Sequence, residues 1–156
     1  MIDFVLKEWA ILCHALATGQ QDFIARKGGL NDAADVFAKP PQKFYLQATY
    51  FHENKKQIKP AYHSLFDEIT ARTPPPHELH LDYLATVSQT RSVTDESELV
   101  SISQKCLLTL DYLKERFHYG HAPGLWVLTL QVERLSPALI LPMKNEYRGC
   151  QSWFRV

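Results

Sequence analysis

The stretch "AILCHALATGQQDFIARKGG", residues 10–29, decides how the first part of the chain folds. Residues 10–16 are almost continuously apolar, as in a strand that is buried on both faces. A glycine and two glutamines at positions 19–21 provide a turn, and residues 23–26 return to an apolar run. We therefore predict a β-hairpin. A helix over residues 4–17 is the alternative, because alanine and leucine favour helices.

Strand and helix patterns alternate after this hairpin. The segment "KFYLQATYFH", residues 43–52, is rich in aromatic residues and predicts a strand. Helical spacing of apolar residues predicts a helix from about residue 59 to residue 72, with Pro60 in its first turn. The segment "ELHLDYLATVSQ", residues 78–89, alternates and predicts a half-buried strand with Leu79, Leu81, Tyr83, Ala85 and Val87 on one face.

The last third of the chain continues this alternation. A long amphipathic helix with a possible internal break is predicted from Asp95 to Phe117. An alternating strand follows at residues 125–135, and we expect Pro137 to end it. Short strands "ALILP" and "CQSWFRV" close the chain. The order predicts an α+β fold, a single domain over residues 1–156 whose mostly antiparallel sheet opens with the hairpin and carries two main helices.

Composition narrows the classes of function. The 156 residues are 46% hydrophobic and 22% charged, which suits a globular domain with a core. The formal net charge is zero, so any contact with nucleic acid must be local. The three widely spaced cysteines, Cys13, Cys106 and Cys150, indicate a reducing compartment rather than a disulfide framework. No apolar run reaches the ~20 residues that span a membrane, so we expect no membrane contact and a cytoplasmic protein.

Residue patterns suggest two kinds of chemistry. Arg26 and Lys27 emerge at the end of a buried strand, where they either make a solvated turn or bind an anion; the glycine spacing of phosphate loops is missing. Glu53, with Lys55 two residues on, resembles half of a magnesium-dependent nuclease motif, and Asp82 is a possible partner acid. The histidine pairs in "HELH" and "HYGH" are typical of solvated loops, so we predict no metal site there.

Several short motifs together resemble the bacterial domain-of-unknown-function 1802 (DUF1802) family. They are "KEW" at residues 7–9, "RKGG" at 26–29, Thr49 with "FH" at 51–52, "RF" at 116–117 and "GCQSW" at 149–153. The resemblance runs from about Leu6 to Trp153. The family has no established activity. Some relatives are associated with restriction-endonuclease domains, which implies a link to restriction-modification or defence and a restriction-type protein partner.

These motifs predict one shared anion-binding pocket. If the hairpin, the third strand and the last strand are neighbours, six polar residues converge: Arg26, Lys27, Thr49, His52, Arg116 and Ser152. Such a set suits a phosphate group. We expect Arg26, His52 and Arg116 to face one concavity with Cys150 or Ser152 on its wall; whether Cys150 is reactive or buried is left open.

Three functions follow from this prediction. The first is a module that binds nucleic acid or a nucleotide through phosphate, without a cofactor. The second is a metal-dependent hydrolase or nuclease, in which Mg²⁺ is the cofactor and the catalytic candidates are His52, Glu53 and Glu8. The third is a structural or protein-interaction domain without catalytic activity, in which the tryptophans anchor the core. Whether the protein is an enzyme stays open at this point.

Overall fold

The computed structural model describes residues 1–28 and 39–156. Its strands are β1 (Phe4–Trp9), β2 (Phe23–Arg26), β3 (Lys43–Thr49), β4 (Glu78–Val93), β5 (Leu125–Pro142) and β6 (Trp153–Arg155). Its α-helices are α1 (Ala10–Ala17), α2 (His63–Thr70), α3 (Leu99–Gln104) and α4 (Leu110–His118). Short 3₁₀ helices join several of them. The predicted α+β class is confirmed.

The sheet is mixed. Its strand order is β2-β5-β4-β3-β1-β6, and β1 runs parallel to β3 while the other neighbouring pairs are antiparallel. Strands β4 and β5 are the longest and pair over most of their length. Because β1 and β3 lie in parallel, their carboxyl ends, Trp9 and Thr49, meet at the same edge of the sheet.

The predicted opening hairpin is wrong. Residues 10–17 form helix α1, and strand β2 pairs with β5 instead of with the segment before it. The alternative helix over residues 4–17 is wrong in its first part, because Phe4–Trp9 is strand β1. Helix α1 is buried on most sides, since its residues pack into two separate hydrophobic clusters. An apolar helix of this kind has the same continuous pattern as a buried strand.

Two other boundaries differ from the prediction. The long helix has the break that was considered possible and is divided into α3 and α4; with α1 as a further helix, the described residues form four α-helices rather than two. Thr109 begins α4, where its hydroxyl accepts a hydrogen bond from the Tyr112 amide at 3.2 Å. Strand β5 also continues past Pro137, because this proline lies in an irregular part of the β4–β5 pairing where no ladder hydrogen bond is needed from it.

A β-bulge divides the faces of β4. The register shifts between Leu81 and Tyr83, so that Leu79 and Leu81 pack into one cluster while Tyr83 packs against another that contains Ala85. The prediction that these residues share one face is therefore wrong. At this point one residue of β4 lies opposite four residues of β5, 135–138, and such an unequal count redirects side chains.

The sheet curls so that its two ends approach each other. Ile24 of β2, Leu6 of β1 and Trp153 of β6 belong to one buried cluster, although β2 and β6 are the opposite edges. The ion pair between Glu8 of β1 and Arg26 of β2 spans the same opening. The residual gap between these edges is where the polar side chains gather.

Candidate anion-binding groove

A buried ion pair lies at the floor of this gap. A guanidinium nitrogen of Arg26 lies 3.4 Å from a carboxylate oxygen of Glu8, and the two side chains are 11% and 8% exposed. The other Glu8 oxygen accepts a hydrogen bond from the Trp9 amide at 2.8 Å. The Thr49 hydroxyl donates to the Glu8 carbonyl at 3.2 Å. These contacts tie the ends of β1, β2 and β3 together, so Arg26 and Thr49 both lie beside Glu8.

Helix α4 contributes a second, firmly held guanidinium. Arg116 donates to the Ala25 carbonyl at 3.1 Å and to the Tyr112 hydroxyl at 2.8 Å. Its guanidinium lies over the Tyr112 ring, 5.2 Å from the centroid, and that ring stacks on Trp9 at 5.3 Å. Residues 112 and 116 are one helical turn apart, so they face the same way. Two donated bonds fix the Arg116 group, and a guanidinium has five N–H donors to offer.

Two cavities meet at these arginines, and we call them together the groove. Their volumes are about 430 and 500 Å³, and both are lined by Arg26, Arg116 and Ser152. Among the residues that the structure describes, the side chains lining them are basic at Lys7, Arg26, Lys27, Arg116 and Arg148 and acidic at Glu8 and Glu115. Glu8 and Arg26 neutralise each other, which leaves four basic side chains against one acidic side chain, so the groove carries an excess of positive charge.

Comparison with known proteins identifies the family. The family model described as Domain of unknown function (DUF1802) matches residues 5–156. This chain belongs to the DUF1802 family. No curated protein matches it.

Solved structures show the same fold as this DUF1802 domain. A crystal structure of ASCH from Zymomonas mobilis has a TM-score of 0.55 at 11% identity, covering 98% of this chain and 86% of that chain. A point mutant of that protein has a TM-score of 0.57 at 9% identity, covering 98% and 87%. At this identity the likeness concerns the fold alone.

The structure brings most of the predicted anion-binding residues of this DUF1802 chain to the groove. Arg26, Lys27, Thr49, Arg116 and Ser152 line it, and so do Glu8 and Cys150. His52 is exposed and is not among the described residues that line the groove. It begins the 3₁₀ turn His52–Gln57, so the chain turns away after Phe51. The side chain of Glu53 and residues 29–38, including Gly29, lie outside what the structure describes.

Lys27 has a structural role in addition to its charge. Its ammonium group donates to the carbonyls of Phe117 at 2.8 Å and Gly124 at 3.0 Å, and also to that of Ala122. Phe117 belongs to the last turn of α4, whose final carbonyls lack partners within the helix. Lys27 therefore holds the end of α4 against β2.

Replacing Lys27 with methionine should lower the free energy of unfolding by about 2 kcal/mol, since hydrogen bonds to a charged group are lost from partly buried carbonyls. Urea unfolding of the variant beside the wild-type chain measures this. Lys43→Met, at an exposed lysine on β3, is the matched control and should change little. Equal losses in both variants would contradict the structural role.

Sequence reasoning missed several groove residues. Lys7, Gln47, Phe51, Tyr119 and Arg148 also line it. Lys7 donates to the Gly149 carbonyl at 3.0 Å, and burial lowers the pKa of its ammonium group. Gly149 has a φ of 101°, a conformation that favours glycine, and the tight turn it makes brings Cys150 and Ser152 back onto the wall. Lys7 belongs to the "KEW" motif, which was the available signal.

A resident metal has no obvious ligand set here. Within residues 1–28 and 39–156, no group of three or more histidine, cysteine, aspartate or glutamate side chains is arranged to hold a metal ion. The described part of the chain also contains no helix long and apolar enough to cross a membrane.

Proposed function

We propose that this DUF1802 domain binds single-stranded nucleic acid, or a nucleotide, through its phosphate groups in the groove. The observation that carries the proposal is the convergence of basic side chains from β1, β2, α4 and the 148–152 turn on one concave surface. The net charge of the whole chain is zero, so this excess is local. A local basic concavity in a neutral protein suits a polyanion that is bound at one place.

Arg116 is the group best placed to contact a phosphate. Two contacts orient it and its guanidinium is only partly buried, so binding would cost little side-chain freedom. Planar guanidinium groups donate two parallel hydrogen bonds to phosphate oxygens. Lys7 and Arg148 lie further along the same lining and would add electrostatic attraction.

Two exposed aromatic rings favour single strands over a duplex. Phe51 is 54% exposed and Tyr119 is 73% exposed, and they line different cavities of the groove. Unpaired bases stack on such rings with about 1–3 kcal/mol per base, whereas paired bases keep their faces covered. An exposed ring beside each basic cavity therefore matches a strand whose bases are splayed out.

The link to a restriction-type enzyme stays a proposal that rests on the family resemblance. Co-purification of a restriction-type protein with the tagged chain would support this link, provided that it is lost when the charge of the groove is reversed. A cytoplasmic location stays a proposal that rests on the three widely spaced cysteines.

Binding by fluorescence anisotropy tests the proposed function. Labelled single-stranded oligonucleotides and the matching duplex are titrated with the whole chain at several salt concentrations. We expect tighter binding to the single strand and a logarithmic affinity that falls linearly with the logarithm of salt. Tyr119→Ala should weaken binding by about 5- to 150-fold, the loss of one stacked base. Ile140→Ala removes an exposed apolar side chain outside the groove and is the control. Salt-insensitive binding, or equal effects of both variants, would overturn the proposal.

A further inference from the structure

A second polar cavity lies apart from the groove. Its volume is about 250 Å³, and none of its lining residues lines the groove. It lies beside helix α1, between Tyr50, which follows β3, and the bulge in the β4–β5 pairing. Its polar lining residues are His14, Tyr50, Arg72, His80, Asp82, Tyr83 and Arg134. We call it the tyrosine cavity.

The bulge in the β4–β5 pairing builds this cavity. Consecutive strand residues normally point to opposite faces, yet Asp82 and Tyr83 both line it. The register shift between Leu81 and Tyr83 explains this, because it reverses the facing of the strand at that place. Arg134 is the cross-strand partner of Tyr83 and reaches the same space from β5.

Four polar side chains that line the cavity have no side-chain hydrogen bond or ion pair among the described residues. Two of the lining groups have partners: Arg72 is paired with Glu68, and His80 contacts Glu78 at 2.6 Å. By contrast, the Tyr50 and Tyr83 hydroxyls, the Asp82 carboxylate and the Arg134 guanidinium make no side-chain hydrogen bond or ion pair within the described ranges 1–28 and 39–156. Tyr50, Asp82 and Tyr83 are half-buried and Arg134 is exposed, so these groups can bond to water or to a ligand that enters the cavity.

The two phenols stay protonated at neutral pH, so each can donate a hydrogen bond to a ligand. Burial raises the pKa of Tyr50 to about 12, and the nearby negative charge of Asp82 adds to the effect against the opposing charge of Arg134. Burial raises the pKa of Tyr83 as well. The ordinary phenol value is 10.0.

Tyr50 should therefore make stability fall at high pH. The pKa of Tyr50 is higher in the folded chain than in the unfolded chain, so the folded chain holds the phenol proton more tightly. The stability that this proton contributes is fully present below about pH 10 and is lost as the pH rises towards about 12. Ultraviolet difference spectra of the wild type and Tyr50→Phe should differ by a phenolate step near pH 12. A step centred near pH 10, the ordinary phenol value, would contradict this.

We propose that the tyrosine cavity binds a small zwitterion, for which a free amino acid is the simplest class. The cavity presents one cation and one anion without ion-pair partners, Arg134 and Asp82, so a ligand that neutralises both must carry both signs. Arg134 and the phenols would donate to the ligand's carboxylate, and Asp82 would accept from its ammonium group. The volume is below that of cavities that hold drug-sized molecules, which fits a ligand of this size.

A nuclear magnetic resonance titration of the whole ¹⁵N-labelled chain tests this inference. The probes are the twenty amino acids, each added singly, with acetate and methylammonium as carriers of one charge only. We expect at least one amino acid to shift the amide signals around residues 14, 50, 82–83 and 134, and to bind about tenfold or more tightly than either single-charge probe.

Variants distinguish a zwitterion site from a site that recognises one charge alone. Asp82→Asn and Arg134→Gln should each weaken amino-acid binding about tenfold or more, while Arg91→Gln, at an exposed arginine on β4 outside the cavity, should leave it unchanged. If a charge variant fails to fold, Tyr50→Phe, which removes only one hydroxyl, takes its place in the binding test. If no amino acid shifts these signals, or if acetate binds equally well and Asp82→Asn has no effect, the inference is overturned.

Discussion

Replacing Arg26 with alanine is expected to lower the free energy of unfolding by about 3–5 kcal/mol, because the change leaves the buried Glu8 carboxylate without its counter-charge. The Glu8 side chain is 8% exposed, so water cannot easily replace the guanidinium. Glu8 also joins β1 to β3 through the Thr49 hydroxyl bond to its carbonyl. The loss should appear as a lower urea midpoint with an unchanged slope.

A double variant separates charge from packing. Glu8→Gln combined with Arg26→Met removes both charges while keeping similar volumes, so it should recover most of the lost stability. Arg155→Ala, at a mostly exposed arginine paired with Asp3, is the matched control and should cost at most about 1 kcal/mol. A loss below about 1 kcal/mol in Arg26→Ala would show that the pair does not hold the sheet ends together.

Replacing Arg116 with alanine should weaken oligonucleotide binding by about 10- to 100-fold, the effect of losing a charge-assisted contact to phosphate. The slope of logarithmic affinity against logarithmic salt should fall by about 0.7, the change expected for one phosphate contact on a single strand. Anisotropy titrations at several salt concentrations measure both quantities together.

Stability must be followed in the same Arg116 variant, since the side chain also bonds to the Ala25 carbonyl and the Tyr112 hydroxyl. Arg116→Lys retains the charge but not the planar fork, so it should fall between wild type and alanine in affinity. Arg91→Ala removes an equally charged side chain outside the groove and should bind as wild type does. If Arg91→Ala and Arg116→Ala lose the same affinity, the effect is one of net charge and not of the groove.

The gathering of the predicted site residues could be foreseen because each stands at or near the end of an element. Arg26 ends a buried strand and Thr49 ends an aromatic one, and a charged or polar group in that position is costly unless it finds partners. Whether His52 faces the groove could not be predicted in this way. Whether the chain turns before or after Phe51 depends on the 3₁₀ turn that begins at His52, and the sequence pattern does not reveal that turn.

The errors in the fold share a physical cause. Residues 10–17 are apolar on nearly every side because α1 contacts two clusters at once, and periodicity cannot then separate helix from strand. The bulge after Leu81 depends on how β5 pairs with β4, which is a non-local property. The curl that joins Glu8 to Arg26 also depends on distant strands. Local patterns predicted which residues are polar or buried, and tertiary pairing determined which of them face each other.

Mapping where an oligonucleotide touches the protein tests the groove itself. A short single-stranded oligonucleotide is titrated into the ¹⁵N-labelled chain, and the perturbed amide signals are assigned to residues. We expect them to concentrate around residues 7–9, 26–28, 47–51, 112–119 and 148–152, where the groove is lined. Perturbations that centre on another face, or no saturable perturbation at low salt, would contradict phosphate binding in the groove.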